Sequence, residues 1–315
     1  MPETVARAFS PAGISSFFEI CDSTASGIPI EDLEQVGSRG GGIGIQKGVL
    51  AEVTVSEAKT NCINVFINGK LAAEAETTRN VCETLLRKVD KQFRVTVKHK
   101  VAIPIGAGFG SSAAGALTTG LALSKALELP LTYNQIGRIA HVSEVQCKTG
   151  LGTVGPLMIG GCVLVVEPGA PGIGVIDRIP LSDNYMIVAG VFSATPTKQV
   201  LASVEKRREV NRWGRKTLDA ILAEPSIENF MESCLDFADK AGFMTPRVRN
   251  LVKLAKKAGA VGVAQNMVGE AIHALVLEEN AEKITEAFKK VLPNKKIFTA
   301  RIDFQGARLV RDEEV

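Results

Sequence analysis

Two α+β domains meeting near residues 180–195 are what this sequence predicts, on three observations. The chain has 315 residues, and single domains usually run to about 100–200. Its 45% hydrophobic and 23% charged residues are the mix of an ordinary globular protein with room for a sizeable core. Strand-like and helix-like segments then alternate without the regular βαβ rhythm of a parallel sheet. The expected units are residues 1–185 and 186–315.

Behind a short apolar N-terminal segment, Val49 to Glu57 and Cys62 to Asn68 have strand patterns, and Asn68-Gly69 is a tight-turn dipeptide. Glu76 to Val89 has a helical pattern. From Phe93 the residues Val95, Val97, His99, Val101 and Ile103 alternate, predicting a half-buried strand that stops at Pro104. A glycine loop follows, and then Ser111 to Leu127, small and apolar with no charge before Lys125, predicts a deeply buried helix. Thr132-Tyr-Asn-Gln135 is a capping-box pattern that opens a second helix running to about Cys147. A glycine-rich turn and a strand from Gly161 to Val166 close the first half.

The second half opens on a strand, Met186 to Phe192, followed by several helices between Thr197 and Gly259. Thr245-Pro246 supplies an N-cap and a first-turn proline, and Gly259 a stop. Ala271 to Leu277, Glu282 to Val291 and Ile297 to Asp303 then read as strand, helix and strand. Asp303 finds no chemical partner in the sequence.

The net charge of +3 gives no reason to propose a polyanion partner, and with one Trp and two Tyr a base-stacking platform is disfavoured, so nucleic acid is excluded as a partner. Six scattered cysteines without a C-x-x-C pair predict reduced, mostly buried thiols. The N-terminus lacks a signal-peptide pattern, and the expected location is the cytoplasm. The charge-free stretches from Val101 to Ser124 and from Thr149 to Val166 are broken by glycines and prolines, so neither is an uninterrupted membrane-spanning helix.

The most informative segment is Pro104-Ile-Gly-Ala-Gly-Phe-Gly-Ser-Ser-Ala-Ala114. Glycines at alternate positions let backbone N–H groups approach a ligand, and the helix behind them offers unpaired N–H groups and a positive dipole end to phosphate. The spacing is neither that of a Walker A loop nor that of a Rossmann fingerprint. On the glycines alone, a phosphate cradle and a tight turn packed in a core both stand.

The segment resembles motif 2 of the GHMP kinases, P-x-x-x-G-L/F-G-S-S-A. Ser10-Pro-Ala-Gly-Ile-Ser-Ser-Phe-Phe-Glu19 is similar to motif 1, and Ala264-Gln-Asn-Met-Val-Gly269 to motif 3. Within that superfamily, motif 1, Gly37-Ser-Arg-Gly-Gly-Gly42, Ala140-His-Val-Ser-Glu144 with Thr149-Gly-Leu-Gly152, and Pro168 to Asp177 look like the archaeal pantoate kinase family. The resemblance implies the two-domain GHMP kinase fold: an N-terminal ribosomal-S5-domain-2-like domain and a C-terminal ferredoxin-like α/β sandwich. It also implies ATP-dependent phosphorylation of the 4-hydroxyl of pantoate, a step towards coenzyme A, with Mg²⁺. The expected assembly is a homodimer. Alternatives on the same fold are a kinase for mevalonate, a phosphomevalonate or homoserine, and a non-kinase binding protein or transferase.

Carried onto this chain, the resemblance assigns ATP to Pro104, Gly106, Gly108, Gly110, Ser111, Ser112 and Ala113. It makes Glu144 the Mg²⁺ ligand, with the Ser112 hydroxyl as the second protein contact. His141, three residues before Glu144 on the same helix face, reads as a satisfied core residue. Arg39, set among glycines in a flexible stretch, suits a bidentate clasp on the acceptor carboxylate, with Gly40 and Thr153 beside the acceptor. Two positions depart from the superfamily pattern: Gly13 stands where many relatives carry Lys or His, and Thr153 where a catalytic Asp often stands. Neither can act as a base, which leaves Glu19 to position the acceptor hydroxyl. Lys148 and the run Lys206-Arg207-Arg208 suit phosphate, but a solvated helix face accounts for the run.

Overall fold

In the computed structural model, residues 3–24, 26–193 and 203–311 are described. In chain order the elements are β1 (Thr4–Cys21), β2 (Gly37–Glu57), β3 (Cys62–Ile67), β4 (Lys70–Leu71), α1 (Glu76–Leu86), β5 (Phe93–Val101), α2 (Ser111–Ala126), α3 (Tyr133–Gln146), α4 (Val154–Ile159), β6 (Cys162–Glu167), β7 (Val175–Ile179) and β8 (Tyr185–Ser193). They continue with α5 (Val204–Ala223), α6 (Ile227–Lys240), α7 (Pro246–Lys257), β9 (Gly262–Gln265), β10 (Glu270–Leu277), α8 (Ala281–Lys289), β11 (Ile297–Arg301) and β12 (Arg308–Leu309). Thr197, where the helical stretch was expected to begin, lies outside the described residues.

An eight-stranded sheet runs β12-β1-β2-β5-β3-β4, with β6 on β2 and β7 on β6. β3 and β5 are parallel and the other pairs antiparallel. The second sheet is antiparallel, in the order β11-β8-β10-β9. The chain passes from one sheet to the other between Ile179 and Tyr185 and returns to the first at β12.

The hairpin β1–β2 differs most from the sequence reading. Its strands are 18 and 21 residues long, and the stretch Gly37–Gly42, expected to be flexible, is the first part of β2. Register shifts at Pro11/Ala12 and Ser15/Phe17 absorb the proline and bend the strand. Gly42 and Gly48 lie so close to β1 that a β-carbon would meet the Ile14 and Ser10 carbonyl oxygens at 2.2 and 2.0 Å. The glycines are what allow the two strands to approach.

The first sheet buries α2, whose apolar and small residues are covered on almost every side. His99 of β5, in the inward series with Val95 and Val97, bonds Thr119 of α2 at 3.0 Å. The capping box that opens α3 forms as the sequence predicts: Gln135 N–H donates to the Thr132 hydroxyl at 3.3 Å and Thr132 N–H to the Gln135 side chain at 2.7 Å. The glycine-rich turn expected after α3 contains the short helix α4. One core joins the sheets, with Ile14, Phe17 and Ile43 from the first, Ile187 and Leu275 from the second, and Phe230 and Phe237 from α6. A separate core packs α7 and α8 on the second sheet around Val188, Leu251, Ile272 and Phe288.

Cys82, Cys162 and Cys234 are buried, but Cys62 is exposed and Cys21 and Cys147 are half-buried, so "mostly buried" holds for only half of the thiols. Asp303, far from lacking partners, is buried and accepts from Gly306 N–H at 2.7 Å and Arg308 at 3.2 Å. Among the described residues no helix is long and apolar enough to cross a membrane.

Candidate active site

A cavity of about 880 Å³ opens where the hairpin β1–β2, the loop 104–110, the turn 148–153 and the turn between β9 and β10 converge. Backbone bonds tie these segments together. Gly13 N–H donates to Phe109 O at 3.2 Å, Ser15 N–H to Gly108 O at 3.3 Å, and Met267 N–H to Ser15 O at 2.7 Å. The three segments matched to separate motifs are therefore neighbours.

Gly106, Gly108, Gly110, Ser111, Ser112 and Ala113 line this cavity. Gly110 is the N-cap of α2 in the left-handed conformation, φ 63°, and has no side chain to satisfy the first N–H groups of the helix. Those donors and the dipole end are therefore left without a side-chain partner, an arrangement suited to an anion. Pro104, assigned to the same group, is not on the wall; β5 ends at Val101, and Pro104 lies in the loop that follows.

Glu144 reaches the wall from α3 with its carboxylate buried at 3% exposure. Its Oε1 accepts from the Ser112 hydroxyl at 2.5 Å and the Thr149 hydroxyl at 2.7 Å. Burial pushes the Glu144 carboxyl above the ordinary carboxylate range, and the two hydroxyls pull it part of the way back. A buried carboxylate held only by neutral donors, beside an anion-seeking helix terminus, fits a hard divalent cation such as Mg²⁺. Among the described residues no cluster of three His, Cys, Asp or Glu side chains forms, so phosphate oxygens and water would have to complete such a shell. His141 faces elsewhere, bonding Val36 O at 2.8 Å, and burial lowers its pKa.

The two departures from the superfamily pattern lie against each other. A β-carbon on Gly13 would meet the Thr153 methyl at 3.4 Å and Leu157 at 3.0 Å, and one on Gly110 would meet the same methyl at 2.8 Å. Thr153 thus fills the space that a larger residue at position 13 would need. Next to it, a β-carbon on Gly152 would meet Ser38 Oγ at 2.1 Å. Adjacent residues of this turn touch distant points of the hairpin, which therefore curls around the turn and brings Arg39 towards the loop.

Arg39 and Gly40 lie on the wall, but on a strand. Gly40 is set by pairing as much as by any ligand, since a β-carbon there would meet Phe17 O at 2.5 Å. Opposite Arg39 in the ladder stands Glu19. Glu19, expected to position the acceptor, is off the wall and 3% exposed, with its carboxylate taken by two guanidiniums. Arg39 Nε lies 3.0 Å from Oε2, and Arg215 Nη2 lies 2.7 Å from Oε1. Glu19 holds an arginine at the cavity and does not itself reach the wall.

Sequence reasoning missed Arg215, Asp22 and Arg207. Arg207, assigned to a solvated helix face, lines the cavity and holds both oxygens of Asp22 at 2.6 and 2.7 Å. Nothing in one sequence shows that α5 lies across β1, so the pairing had no local signal. A buried relay behind the loop was missed for the same reason. His273 Nδ1–H donates to Asn266 Oδ1 at 2.9 Å, its Nε2 accepts from the Ser16 hydroxyl at 3.2 Å, and the Asn266 amide reaches Ala107 O at 3.5 Å. Lys148 also lies on the wall, beside Thr149.

Comparison with known proteins shows the family. Residues 76–161 match the family described as GHMP kinases N terminal domain, and residues 217–294 match GHMP kinases C terminal. A pantoate kinase of Thermococcus kodakarensis is 36% identical over 88% of this chain and 89% of its own. One of Methanocaldococcus jannaschii is 28% identical over 89% of this chain and 96% of its own. A solved structure described as a phosphotransferase related to the CoA biosynthesis pathway superposes with a TM-score of 0.87 at 30% identity, covering 98% of this chain and 99% of that one. The chain belongs to the GHMP kinases and, within them, to the family of the pantoate kinases.

Proposed function

We propose that this enzyme transfers the terminal phosphoryl group of ATP to the 4-hydroxyl of pantoate. The observation that carries the reading is the Ser112–Glu144 pair, placed on one cavity wall with the uncapped N-terminus of α2 and with Arg39. In this reading Gly106, Gly108, Gly110, Ser111 and the first turn of α2 hold the phosphates, and Ser112 and Glu144 hold Mg²⁺. The cation, when bound, neutralises charge on the phosphate oxygens. Arg39 faces the acceptor carboxylate, with Gly40 and Thr153 beside it.

No side chain at positions 13 or 153 is a base. Phosphoryl transfer tolerates this, because its loose transition state depends chiefly on positioning and charge neutralisation. The division at residues 185/186, a cytoplasmic location and a homodimer belong to the same proposal.

The test is ATP consumption by the purified protein over a panel of pantoate, mevalonate, a phosphomevalonate and homoserine, with phosphopantoate identified by mass. Glu144→Gln keeps the shape and removes the charge, so kcat should fall by roughly a hundredfold with thermal stability little changed. Turnover of another acid but not pantoate overturns the acceptor. ATP binding without turnover on any acceptor overturns the kinase reading. Wild-type turnover by Glu144→Gln at limiting Mg²⁺ removes Glu144 from the cation site.

A further inference from the structure

Two arginines of the cavity wall are candidates to meet the acceptor's carboxylate, and their partners distinguish them. Arg207 is matched one to one, its Nη2 holding both oxygens of Asp22 at 2.6 and 2.7 Å. Arg39 is not matched one to one. It shares Glu19 with Arg215, which donates from Nε at 3.2 Å and Nη2 at 2.7 Å to the same Oε1 that Arg39 Nη2 reaches at 3.2 Å. Two guanidiniums around one carboxylate leave one positive charge over.

Burial decides where that surplus acts. Glu19 is 3% exposed and cannot be reached from the cavity, whereas the Arg39 side chain is 28% exposed and lies on the wall. Arg215, on the face of α5 that packs on β1, is 63% exposed and off the wall. An anion entering from the cavity meets Arg39, in surroundings drier than bulk water, where a charge-assisted pair is stronger. Were Arg215 absent, Glu19 would neutralise Arg39 alone, and the pair would present no net charge to the acceptor.

We infer that Arg215, which does not line the cavity, is the positioning residue that makes Arg39 an anion site, by drawing the Glu19 carboxylate onto itself. The inference rests on the reading of Arg39 as the acceptor clasp, and it sets the acceptor's carboxylate beside Arg39 on the β1–β2 ladder.

The experiment is steady-state kinetics on wild type, Arg215→Met, Arg215→Lys and the double variant Arg215→Met/Glu19→Gln, with pantoate and with its primary amide. Arg215→Met should raise the KM for pantoate by about tenfold and leave the KM for ATP, kcat and the use of the amide within about twofold. Arg215→Lys keeps the charge and should recover most of the loss. Glu19→Gln in the Met background removes the charge that now neutralises Arg39, so pantoate KM should move back towards wild type.

A merely structural role predicts the opposite: acid and amide suffer equally, and the double variant is worse than the single. Either result overturns the inference, as does an unchanged pantoate KM. Thermal melts of the same samples exclude misfolding, and the lysine variant carries the test if the methionine variant fails to fold. Wild type that phosphorylates mevalonate or homoserine but not pantoate overturns the proposed acceptor, and the arginine test then runs on that carboxylate. Wild type that uses no carboxylate acceptor overturns both.

Discussion

A β-carbon on Gly108 would not point into the cavity; it would meet Met267 O at 2.7 Å and Asn266 Cβ at 2.9 Å, from a backbone with φ +77°. The glycine is needed where the loop passes under the β9–β10 turn, in addition to its proposed place beside the phosphates. Gly108→Ala therefore pays twice, through a conformation that costs on the order of 1 kcal/mol for an L-residue and through a contact with backbone that cannot yield. The expected outcome is a lower melting temperature together with a nucleotide KM raised at least about tenfold, or about 1.4 kcal/mol. A stable variant with unchanged nucleotide KM would separate this loop from the phosphates. At this scale the sequence was legible where chemistry is local: the glycines, Ser112 and Glu144 all lie on the wall. It was not legible where chemistry depends on a distant partner, as for Arg215 at Glu19 or Arg207 at Asp22.

Helix α5 shows what an element adds to its residues. Arg207, Asn211 and Arg215 recur every four positions and so share one face. That face grips β1: Arg207 holds Asp22, Asn211 bonds both the N–H and the carbonyl of Ile20 at 2.8 and 3.1 Å, and Arg215 holds Glu19. Gly214 permits the approach, since a β-carbon there would meet Phe18 O at 2.2 Å. In an ordinary exposed helix Gly→Ala stabilises by up to about 1 kcal/mol. Here Gly214→Ala should instead destabilise by roughly 1–3 kcal/mol, as overpacking does, and raise the acceptor KM by displacing Arg207 and Arg215. Urea unfolding and kinetics on one preparation check both, and a stabilised variant would show that α5 does not press on β1. Helices α3 and α7 were legible because their caps are local, and α2 because its run of small and apolar residues carries no charge before Lys125. Strand β1 and the first part of β2, before Val49, were not, because Pro11, Gly13 and the glycines from Gly37 to Gly44 deplete strand propensity, and the ladder is supplied by the partner strand.

Over the whole molecule, all three histidines are buried at the seams between layers: His99 between the first sheet and α2, His141 against Val36, and His273 behind the loop 104–110. Burial pushes the His99 ring down to about 4 and the His273 ring down to about 3, and lowers His141 as well. A histidine held neutral in the fold while free to protonate in the unfolded chain binds fewer protons when folded, so stability rises with pH and is lost as pH falls below about 6.5. By pH 4 the loss is on the order of 3 kcal/mol at each of His99 and His273, a large share of the 5–15 kcal/mol typical of a folded domain. Glu144 works the other way: burial raises its pKa, so the fold gains stability as pH falls towards that value, but it is one group against three. Glu52 is lowered by Arg7 and Lys98, and its contribution is lost only as pH falls below the ordinary carboxylate range. Between about pH 6.5 and 4.5 the histidines therefore set the slope. Chemical denaturation at half-unit steps across that window should show stability falling steadily with acid. His99→Gln, which keeps a partner for Thr119 and cannot titrate, should flatten the slope by about a third while changing nucleotide KM little. A slope of zero in wild type would mean that these rings take up protons in the fold as readily as in the unfolded chain, and in the buried His273–Asn266–Ala107 relay the Ser16 oxygen would then have to accept from His273 Nε2 instead of donating to it.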